Sequence, residues 1–307
     1  MARKSSRRRS SKQRPRFSFG DLLPLLLLVL SGVVLFSLVW FVGTDDKAKD
    51  RLGANGGDLP IRNDPEIVTP VESVPVVREE TPGRPRVAII MDDLGRDFLA
   101  PQTLLSLAEP VAFAILPDQG HSRDIAEMVY LAGREVLLHV PMEPQAYPEI
   151  DPGNKALMVA QSHAEIQRRF RDLLELVPHA VGVNNHMGSR FTEEGEAMSA
   201  VMEVVRERSL FFVDSRTTAN SLVVPVADRY QVAHLKRDVF LDNVAEVEAI
   251  AEQIGKLVEK ARSRGYAVGI CHPYPETLEA LGRELPLMAE RGVDVVTISS
   301  LIGSLDN

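Results

Sequence analysis

One apolar run that ends in two adjacent carboxylates constrains this chain more than any other feature. The run Val87–Met91 has strand length and no polar alternation, and Asp92, Asp93 and Gly95 follow it closely. Such a run is typical of a strand buried on both faces of a parallel sheet. In parallel sheets the chemistry lies at the carboxyl ends of the strands. Because ionising two neighbouring carboxylates is costly, we interpret the pair as functional rather than as a solvated turn.

The N-terminal part differs in charge from the rest of the 307 residues. Residues 1–20 hold eight Lys and Arg side chains and no acid, whereas residues 21–307 hold 27 basic against 43 acidic residues. A protein this acidic beyond its N-terminal tail binds nucleic acid poorly, so no nucleic-acid partner is expected. A nucleic-acid arm remains an alternative reading of the basic tail, but the next segment explains the tail better as a cytoplasmic flank.

Residues 21–43 predict a transmembrane signal anchor. No charged residue occurs from Leu22 to Gly43, a length that spans a bilayer as a helix, and Trp40 stands near one end. The basic tail then places the N-terminus in the cytoplasm and the rest of this single-pass protein in the periplasm. A cleaved signal peptide is the competing interpretation. The apolar run is longer than a signal peptide needs, and no Ala-x-Ala site follows it.

Residues 44–85 predict a disordered linker, since they contain six prolines and show no helical or strand periodicity. The folded catalytic domain is expected at 86–307. The single cysteine, Cys271, excludes an intramolecular disulfide and ends a predicted buried strand.

Short apolar runs recur from residue 86 onward and alternate with segments of helical periodicity. The runs are Val87–Met91, Val111–Leu116, Val136–Val140, Ala180–Val183, Leu210–Val213, Gln231–Leu235, Tyr266–Cys271 and Val293–Ile298. The helical segments are Ser122–Ala132, Ser162–Val177, Glu193–Arg208 (with Thr192 as N-cap), Ala245–Arg264 and Glu276–Arg291. This alternation predicts an α/β fold with a parallel sheet. Seven or eight such units in about 220 residues suit a (β/α) barrel better than an open doubly wound sheet.

Polar side chains follow most of these runs, and in a parallel sheet they meet at one end of the domain. They are Asp92, Asp93, His139, Glu143, Asn184, Asn185, His186, Ser189, Asp214, Arg237, Asp238 and His272. The remaining histidines, His121, His163, His179 and His234, fall in helices, turns or mid-strand and are interpreted as structural or exposed.

Imidazole and carboxylate ligands together suit zinc or a similar divalent metal with a water in the open position. A second carboxylate then accepts the proton of that water, and a separate histidine protonates the leaving group. The sequence lacks a G-x-S-x-G elbow, a Walker A motif and a G-x-G-x-x-G motif. A covalent serine nucleophile and nucleotide chemistry are therefore not supported.

Five motifs in combination resemble the divergent polysaccharide deacetylase family. They are Ile89–Gly95, Leu138–Pro144, Asn184–Ser189, Phe212–Ser215 and Gly269–Pro273, and the resemblance covers roughly residues 86–303. It implies a deformed (β/α) barrel of seven or eight parallel strands and a metal-dependent deacetylase that acts on a cell-envelope glycan.

The resemblance also implies a role for several individual residues. Asp92 matches the general base and His272 the general acid, while Asp93 and His139 match metal ligands. The ordinary second motif has another histidine four residues on, where this chain has Glu143. Either His186 supplies the missing imidazole, which is the ligand set we predict, or Glu143 binds the metal as a carboxylate. The segment Asn184-Asn185-His186 replaces the usual Arg-x-Pro motif.

Two hypotheses follow. The first is an inner-membrane hydrolase that removes acetyl groups from a glycan, peptidoglycan being the nearest candidate, with Ser189 or a backbone amide stabilising the oxyanion. The second is a non-catalytic glycan-binding or envelope-organising protein on a deacetylase scaffold, which the altered second motif favours. The presence of Asp92, Asp93 and His272 favours the first hypothesis, because binding alone does not need a base, a metal carboxylate and an acid.

Overall fold

The structure, a computed structural model, describes residues 83–305. The predicted basic tail, the signal anchor and nearly all of the predicted linker lie outside these residues. Within residues 83–305 no helix has the length and apolar content that a membrane crossing requires.

The described residues form an α/β unit in which strands and helices alternate along the chain. The strands are β1 (Arg86–Leu94), β2 (Ala112–Ile115), β3 (Val136–Met142), β4 (Ala180–Met187), β5 (Phe211–Asp214), β6 (His234–Lys236), β7 (Val239–Phe240), β8 (Tyr266–Cys271) and β9 (Asp294–Val295). The helices are α1 (Leu99–Leu105), α2 (Ser122–Leu131), α3 (His163–Leu174), α4 (Gly195–Glu207), α5 (Val223–Tyr230), α6 (Val247–Arg264), α7 (Pro275–Glu284) and α8 (Ile298–Gly303). Two short 3₁₀ turns lie at Phe191–Glu193 and Leu285–Leu287.

The strand pairs of this sheet are parallel, and its strand order is β6-β5-β4-β3-β2-β1-β8-β7, with β9 beside the start of β1. Strands β6 and β7 stand at opposite ends of this order, yet only Arg237 and Asp238 separate them in the chain. The Arg237 amide donates to the Asp214 carbonyl at 2.9 Å, and the Asp238 amide donates to the Val268 carbonyl at 2.8 Å. This short segment therefore joins the two ends of a curled sheet. The predicted α/β class with a parallel, barrel-like sheet is confirmed.

The two faces of the sheet carry two separate apolar clusters. In β1, Val87 and Ile89 pack outward with the surrounding helices, whereas Ala88 and Ile90 pack inward. This is the two-residue alternation of a strand that is buried on both faces. Inward-facing side chains from most of the other strands complete the inner cluster.

The last helix, α8, covers one end of the inner cluster. Its residues Ile298, Leu301 and Ile302 pack against the inward-facing side chains of the strands. Glu135, just before β3, accepts hydrogen bonds from the amides of Ile298 at 2.7 Å and Ser299 at 2.9 Å. Because Glu135 lies at the amino end of its strand, α8 covers the amino end of the sheet and the carboxyl end remains for the site.

Several predicted element boundaries differ from the structure. Ser162 caps α3 as predicted, since its hydroxyl accepts the Glu165 amide at 3.3 Å. Thr192 does not cap α4: its hydroxyl donates to the Gly188 carbonyl at 2.8 Å, and α4 begins at Gly195. The predicted strand Val293–Ile298 is only two residues long, because Thr297 accepts the Ser300 amide and starts α8.

We predict that Leu301→Ala lowers the free energy of unfolding by about 2–4 kcal/mol, because it leaves a cavity among closely packed inward-facing side chains. The side chain of Leu301 is fully buried, whereas Leu305 beyond the helix is 44% exposed. The matched control Leu305→Ala should change the unfolding free energy little. Urea denaturation followed by circular dichroism measures both variants, and equal stabilities would show that α8 does not close the inner core.

Candidate metal centre

Three polar side chains enter the interior of the sheet because they continue its inward-facing alternation. Asp92 follows the inward Ile90 by two residues, and His139 follows the inward Leu137 in the same way. On β4, Asn184 pairs in register with His139. Asp92, His139 and Asn184 are all buried. The apolar inner cluster thus gives way to a polar one at the carboxyl end of β1, β3 and β4.

Asp93 joins this group through an irregularity in the backbone of β1. In a regular strand, Asp92 and Asp93 would point to opposite faces. The register with β2 shifts between Met91 and Leu94, and Asp93 has a φ of 57°, in the left-handed region that non-glycine residues rarely adopt. Such a bulge re-aims side chains, so both carboxylates serve the same site.

Asp93, His139 and His186 form a compact group of metal-type ligands. The Asp93 Oδ1 atom lies 2.9 Å from His186 Nδ1 and 3.3 Å from His139 Nε2. The two imidazole nitrogens are themselves 3.3 Å apart. The side chain of His139 is buried, whereas His186 and Asp93 are 20% and 33% exposed, so the group is open to solvent on one side.

The Asp93 Oδ1 atom shows that this group suits a cation. It is buried, and no donor reaches it with hydrogen-bond geometry. A buried carboxylate oxygen without a donor is costly, but a cation held between it and two imidazole nitrogens removes that cost. Two nitrogens and one oxygen with one open side match the donor set of catalytic zinc sites. The residues therefore fit a divalent metal.

Asn184 connects the metal group to Asp92. Its side-chain amide nitrogen donates to Asp92 Oδ1 at 2.8 Å, and its side-chain oxygen lies 2.9 Å from His139 Nδ1. An oxygen can only accept, so His139 donates from Nδ1 to Asn184 and turns Nε2 towards the metal group. Ser215 supports this arrangement, with its hydroxyl 3.3 Å from the Asn184 amide nitrogen.

His272 lies on the opposite side of Asp93, and Asp242 orients it. His272 Nε2 is 4.0 Å from Asp93 Oδ2, while His272 Nδ1 is 3.2 Å from Asp242 Oδ1. Asp242 also accepts the His272 amide at 2.5 Å and the Thr277 hydroxyl at 3.0 Å. The carboxylate of Asp242 thus fixes both the backbone and the ring of His272, and directs Nε2 towards the metal group.

Burial and close opposite charges act against each other on the ionisation of this group. Burial raises the pKa of Asp92 above its usual range. Burial alone would also raise the pKa of Asp93, but the His139 and His186 imidazoles outweigh it and hold that pKa well below its usual range. For His139, burial is outweighed by Asp92 and Asp93, which raise its pKa to about 9. A bound metal would therefore displace a proton from His139 at neutral pH.

A family model described as divergent polysaccharide deacetylase matches residues 89–302.

The chain belongs to the divergent polysaccharide deacetylase family.

Its relatives match about two thirds of the chain. The uncharacterized protein YibQ of Escherichia coli is 33% identical over 217 residues, which cover 71% of this chain and 67% of YibQ. An uncharacterized protein of Haemophilus influenzae is 32% identical over 196 residues, which cover 64% of this chain and 69% of that protein. An uncharacterized protein from Agrobacterium tumefaciens C58, known as a crystal structure, aligns with a TM-score of 0.67 and 26% identity. That alignment covers 71% of this chain and 89% of the Agrobacterium chain.

Glu143, the alternative metal ligand in the sequence analysis, has other partners. Its Oε1 accepts from Arg190 Nη1 and its Oε2 from the Val159 amide, both at 2.7 Å. The group of metal-type ligands found among residues 83–305 contains His186 and does not contain Glu143. The position of His186 therefore matches that of a second imidazole ligand, whereas Glu143 lies outside the group.

Two other predicted site residues, Asn185 and Arg237, form hydrogen bonds with the backbone near the strand ends. Asn185 Oδ1 accepts the Ser215 amide at 2.9 Å, and its amide nitrogen donates to the Met187 carbonyl at 2.8 Å. Arg237 donates to the carbonyls of Ser215 at 2.7 Å and Arg216 at 2.9 Å. These contacts hold the β4 and β5 ends against the segment between β6 and β7.

Three more predicted residues contact groups outside the metal centre. Asp214 Oδ1 accepts the Arg216 amide at 2.7 Å, and the Ser189 hydroxyl accepts the Gln145 amide at 3.0 Å. Asp238 pairs with Arg264 Nη2 and accepts the Val268 amide at 2.8 Å. Their described contacts fix the backbone of neighbouring loops.

Sequence reasoning missed Asp242. This carboxylate follows β7, which has only two residues and was not predicted as a strand. The available signal was the short apolar run Val239-Phe240-Leu241 that ends in Asp242.

We predict that the full-length protein binds about one zinc ion per chain, and that Asp93→Asn and His186→Ala each lose most of it because each removes one of three ligands. Elemental analysis after equilibration with zinc measures the content. His163→Ala is the matched control, since His163 pairs with Glu203 on the outside of the fold at 2.9 Å. Glu143→Gln should also keep the metal. Zinc retained in His186→Ala but lost in Glu143→Gln would reverse the ligand assignment.

Proposed function

We propose that this protein is a metal-dependent hydrolase that removes acetyl groups from a cell-envelope polysaccharide. The unprotonated, buried Asp93 Oδ1 between two imidazoles is the observation that carries the proposal. Such an oxygen suits a metal ligand, and Asp92 and His272 beside it offer a base and an acid, which binding alone does not need. Family membership supports the acetylated glycan as the substrate class.

Asp92 is proposed as the general base. It lies beside the metal group, with Oδ2 3.5 Å from His139 Nε2, and Asn184 occupies its other oxygen. The raised pKa that burial gives Asp92 makes it a better proton acceptor than an exposed aspartate. Asp92 thus removes the proton from the water that attacks the acetyl carbonyl.

His272 is proposed as the general acid. Burial lowers its pKa, but Asp242, together with Asp92 and Asp93, outweighs burial and raises it. The raised pKa favours the protonated form of His272, which delivers its proton from Nε2 to the departing sugar nitrogen or oxygen. His272 Nε2 lies 4.0 Å from Asp93 Oδ2, so the proton donor is beside the metal group, which suits protonation of the leaving group after attack by water.

Asp93, His139 and His186 would hold a divalent metal, with zinc the best match to the donors. When bound, the metal polarises the acetyl carbonyl and lowers the pKa of its water. Asn184 keeps His139 in the tautomer that this requires, and the bulge at Asp93 keeps that carboxylate separate from the base. The two adjacent aspartates thereby divide the work of ligand and base.

The proposed location follows from the sequence. The N-terminal segment at 21–43 is proposed to anchor the chain in the cytoplasmic membrane, with the catalytic domain on the periplasmic side and the N-terminus in the cytoplasm. An enzyme tethered by the segment 44–85 reaches envelope glycan near that membrane, and peptidoglycan is the nearest polymer of acetylated sugars.

We predict that the full-length, zinc-loaded protein releases acetate from acetylated oligosaccharides, and that Asp92→Asn lowers kcat by about 100-fold or more because it removes the base. Metal content should stay near that of the native protein. The control Asp228→Asn removes an exposed carboxylate beside His234 and should leave kcat unchanged. Glycan binding by a metal-loaded native protein without acetate release would instead favour the non-catalytic scaffold.

We predict that Asp242→Asn moves the alkaline limb of the pH profile of kcat/KM to lower pH. The carboxylate of Asp242 raises the pKa of His272, so its removal lowers that pKa and the acid loses its proton at a lower pH. Initial rates of acetate release across the pH range measure the limb. An alkaline limb in the same place as that of the native protein would show that His272 is not the acid.

A further inference from the structure

A polar cleft opens directly beside the metal centre. It has a volume of about 340 Å³, and His186 and Met187 from the end of β4 form one side of it. The loops after β1, β2 and β3 supply the charged residues Arg96, Asp118, Asp151 and Lys155. Its size falls at the lower end of the range for small-ligand sites. A ligand that reaches His186 from this side must pass these charged side chains.

Most of the charges in the cleft have partners within the protein. Lys155 Nζ pairs with Asp118 Oδ1 at 2.9 Å. Asp151 Oδ1 accepts the Gly153 amide at 2.8 Å. Arg96 differs, because no carboxylate among residues 83–305 lies within ion-pair distance of its guanidinium. Arg96 is exposed in the cleft and its donors are free for a ligand.

The backbone beside Arg96 is fixed. The Leu94 carbonyl accepts the Leu116 amide at 2.8 Å, and the Gly95 carbonyl accepts the His121 amide at 2.9 Å. Gly95 has a φ of +132°, and a Cβ there would lie 3.0 Å from the Cβ of Gln119. Arg96 thus follows a tight, glycine-dependent turn that holds it against the loop after β2.

The chain also keeps Arg96 close to the metal ligands. Arg96 follows Asp93 by three positions, so their Cα atoms are at most about 11 Å apart even in a fully extended chain. Because Arg96 and His186 line the same cleft, one ligand molecule can reach both Arg96 and the metal centre, with its two bound groups about one sugar unit apart.

We propose that Arg96 is a specificity residue that binds an anionic group, a carboxylate or a phosphate, on the sugar unit next to the acetylated one. The inference rests on the proposed function and names its substrate class as an anionic acetylated glycan. A guanidinium binds both anions through paired hydrogen bonds. Residues 21–307 are strongly acidic, with 27 basic against 43 acidic residues, and this net negative charge repels an anionic polymer. The unpaired Arg96 guanidinium in the cleft offsets that repulsion locally.

The test compares three acetylated oligosaccharides of equal length with the zinc-loaded, full-length protein. One is neutral, one carries a hexuronic acid next to the acetylated unit, and one carries a phosphate ester there. We expect kcat/KM to be about tenfold higher for at least one anionic substrate than for the neutral one, with the difference in KM. The preferred anion identifies the source of the charge.

In Arg96→Gln the anionic-to-neutral ratio of kcat/KM should fall to near one. Arg96→Lys should keep part of the ratio, because lysine retains the charge without the paired donors. The matched control Arg229→Gln changes an exposed arginine on α5, outside the cleft, and should keep the native ratio. A native protein without preference, or an Arg96→Gln variant with the native ratio, would overturn the inference.

Calorimetric binding of the same three oligosaccharides to the Asp92→Asn variant, with and without Arg96→Gln, separates this inference from the proposed function. An Arg96-dependent preference for anionic ligands without any acetate release by the native protein would refute hydrolysis and retain the anion site. Acetate release without an Arg96-dependent preference in rate or affinity would retain hydrolysis and refute the anion site.

Discussion

The Asp93 carboxylate lies between two imidazoles at the polar end of an otherwise apolar sheet, and much of the surrounding structure holds it there. Burial of a carboxylate is costly unless it is paired, and its Oδ1 atom lies 2.9 Å from His186 Nδ1 and 3.3 Å from His139 Nε2, neither with hydrogen-bond geometry. The bulge in β1 and the left-handed backbone of Asp93 turn this oxygen towards His139 and His186. Strained backbone of this kind persists where the surrounding structure enforces it, and here it produces a site suited to a cation.

The interior of the sheet has two chemically different ends. At the amino end, α8 covers an inner cluster of apolar side chains. Towards the carboxyl end, the same alternation of inward-facing positions continues from Ile90 to Asp92 and from Leu137 to His139. A rigid apolar base therefore supports a polar group whose positions are set by strand register rather than by loops. This explains how Asp92, Asp93, His139, His186 and His272, which come from the ends of four strands, meet within a few ångströms.

The sequence predicted the parts of the site that lie at the carboxyl ends of apolar strands. Asp92, Asp93, His139 and His186 follow long apolar runs, and parallel strands bring such ends together. The family resemblance added roles, but it left Glu143 and His186 as rival ligands. Only the three-dimensional contacts of Glu143 with Arg190 and Val159 separate the two.

Other features lacked a readable sequence signal. Asp242 follows a strand too short to show alternation, and its partner His272 is 30 residues away. Helix α4 does not begin after Thr192, because the Thr192 hydroxyl donates to the Gly188 carbonyl instead of capping the helix. A capping pattern in the sequence does not reveal this hydrogen bond. The left-handed backbone of Asp93 also cannot be predicted from the sequence, since aspartate is common in ordinary strand ends and turns.

X-ray absorption at the zinc edge of the zinc-loaded, full-length protein tests the central claim most directly, because it identifies the atoms around the metal. The account predicts two imidazole nitrogens at about 2.0–2.1 Å, oxygen donors at about 2.0–2.2 Å, and no sulfur. The imidazole scattering should fall by half in His186→Ala if residual metal binds. A spectrum with oxygen neighbours alone, or with sulfur from Cys271, would contradict the assignment of Asp93, His139 and His186 as the metal ligands.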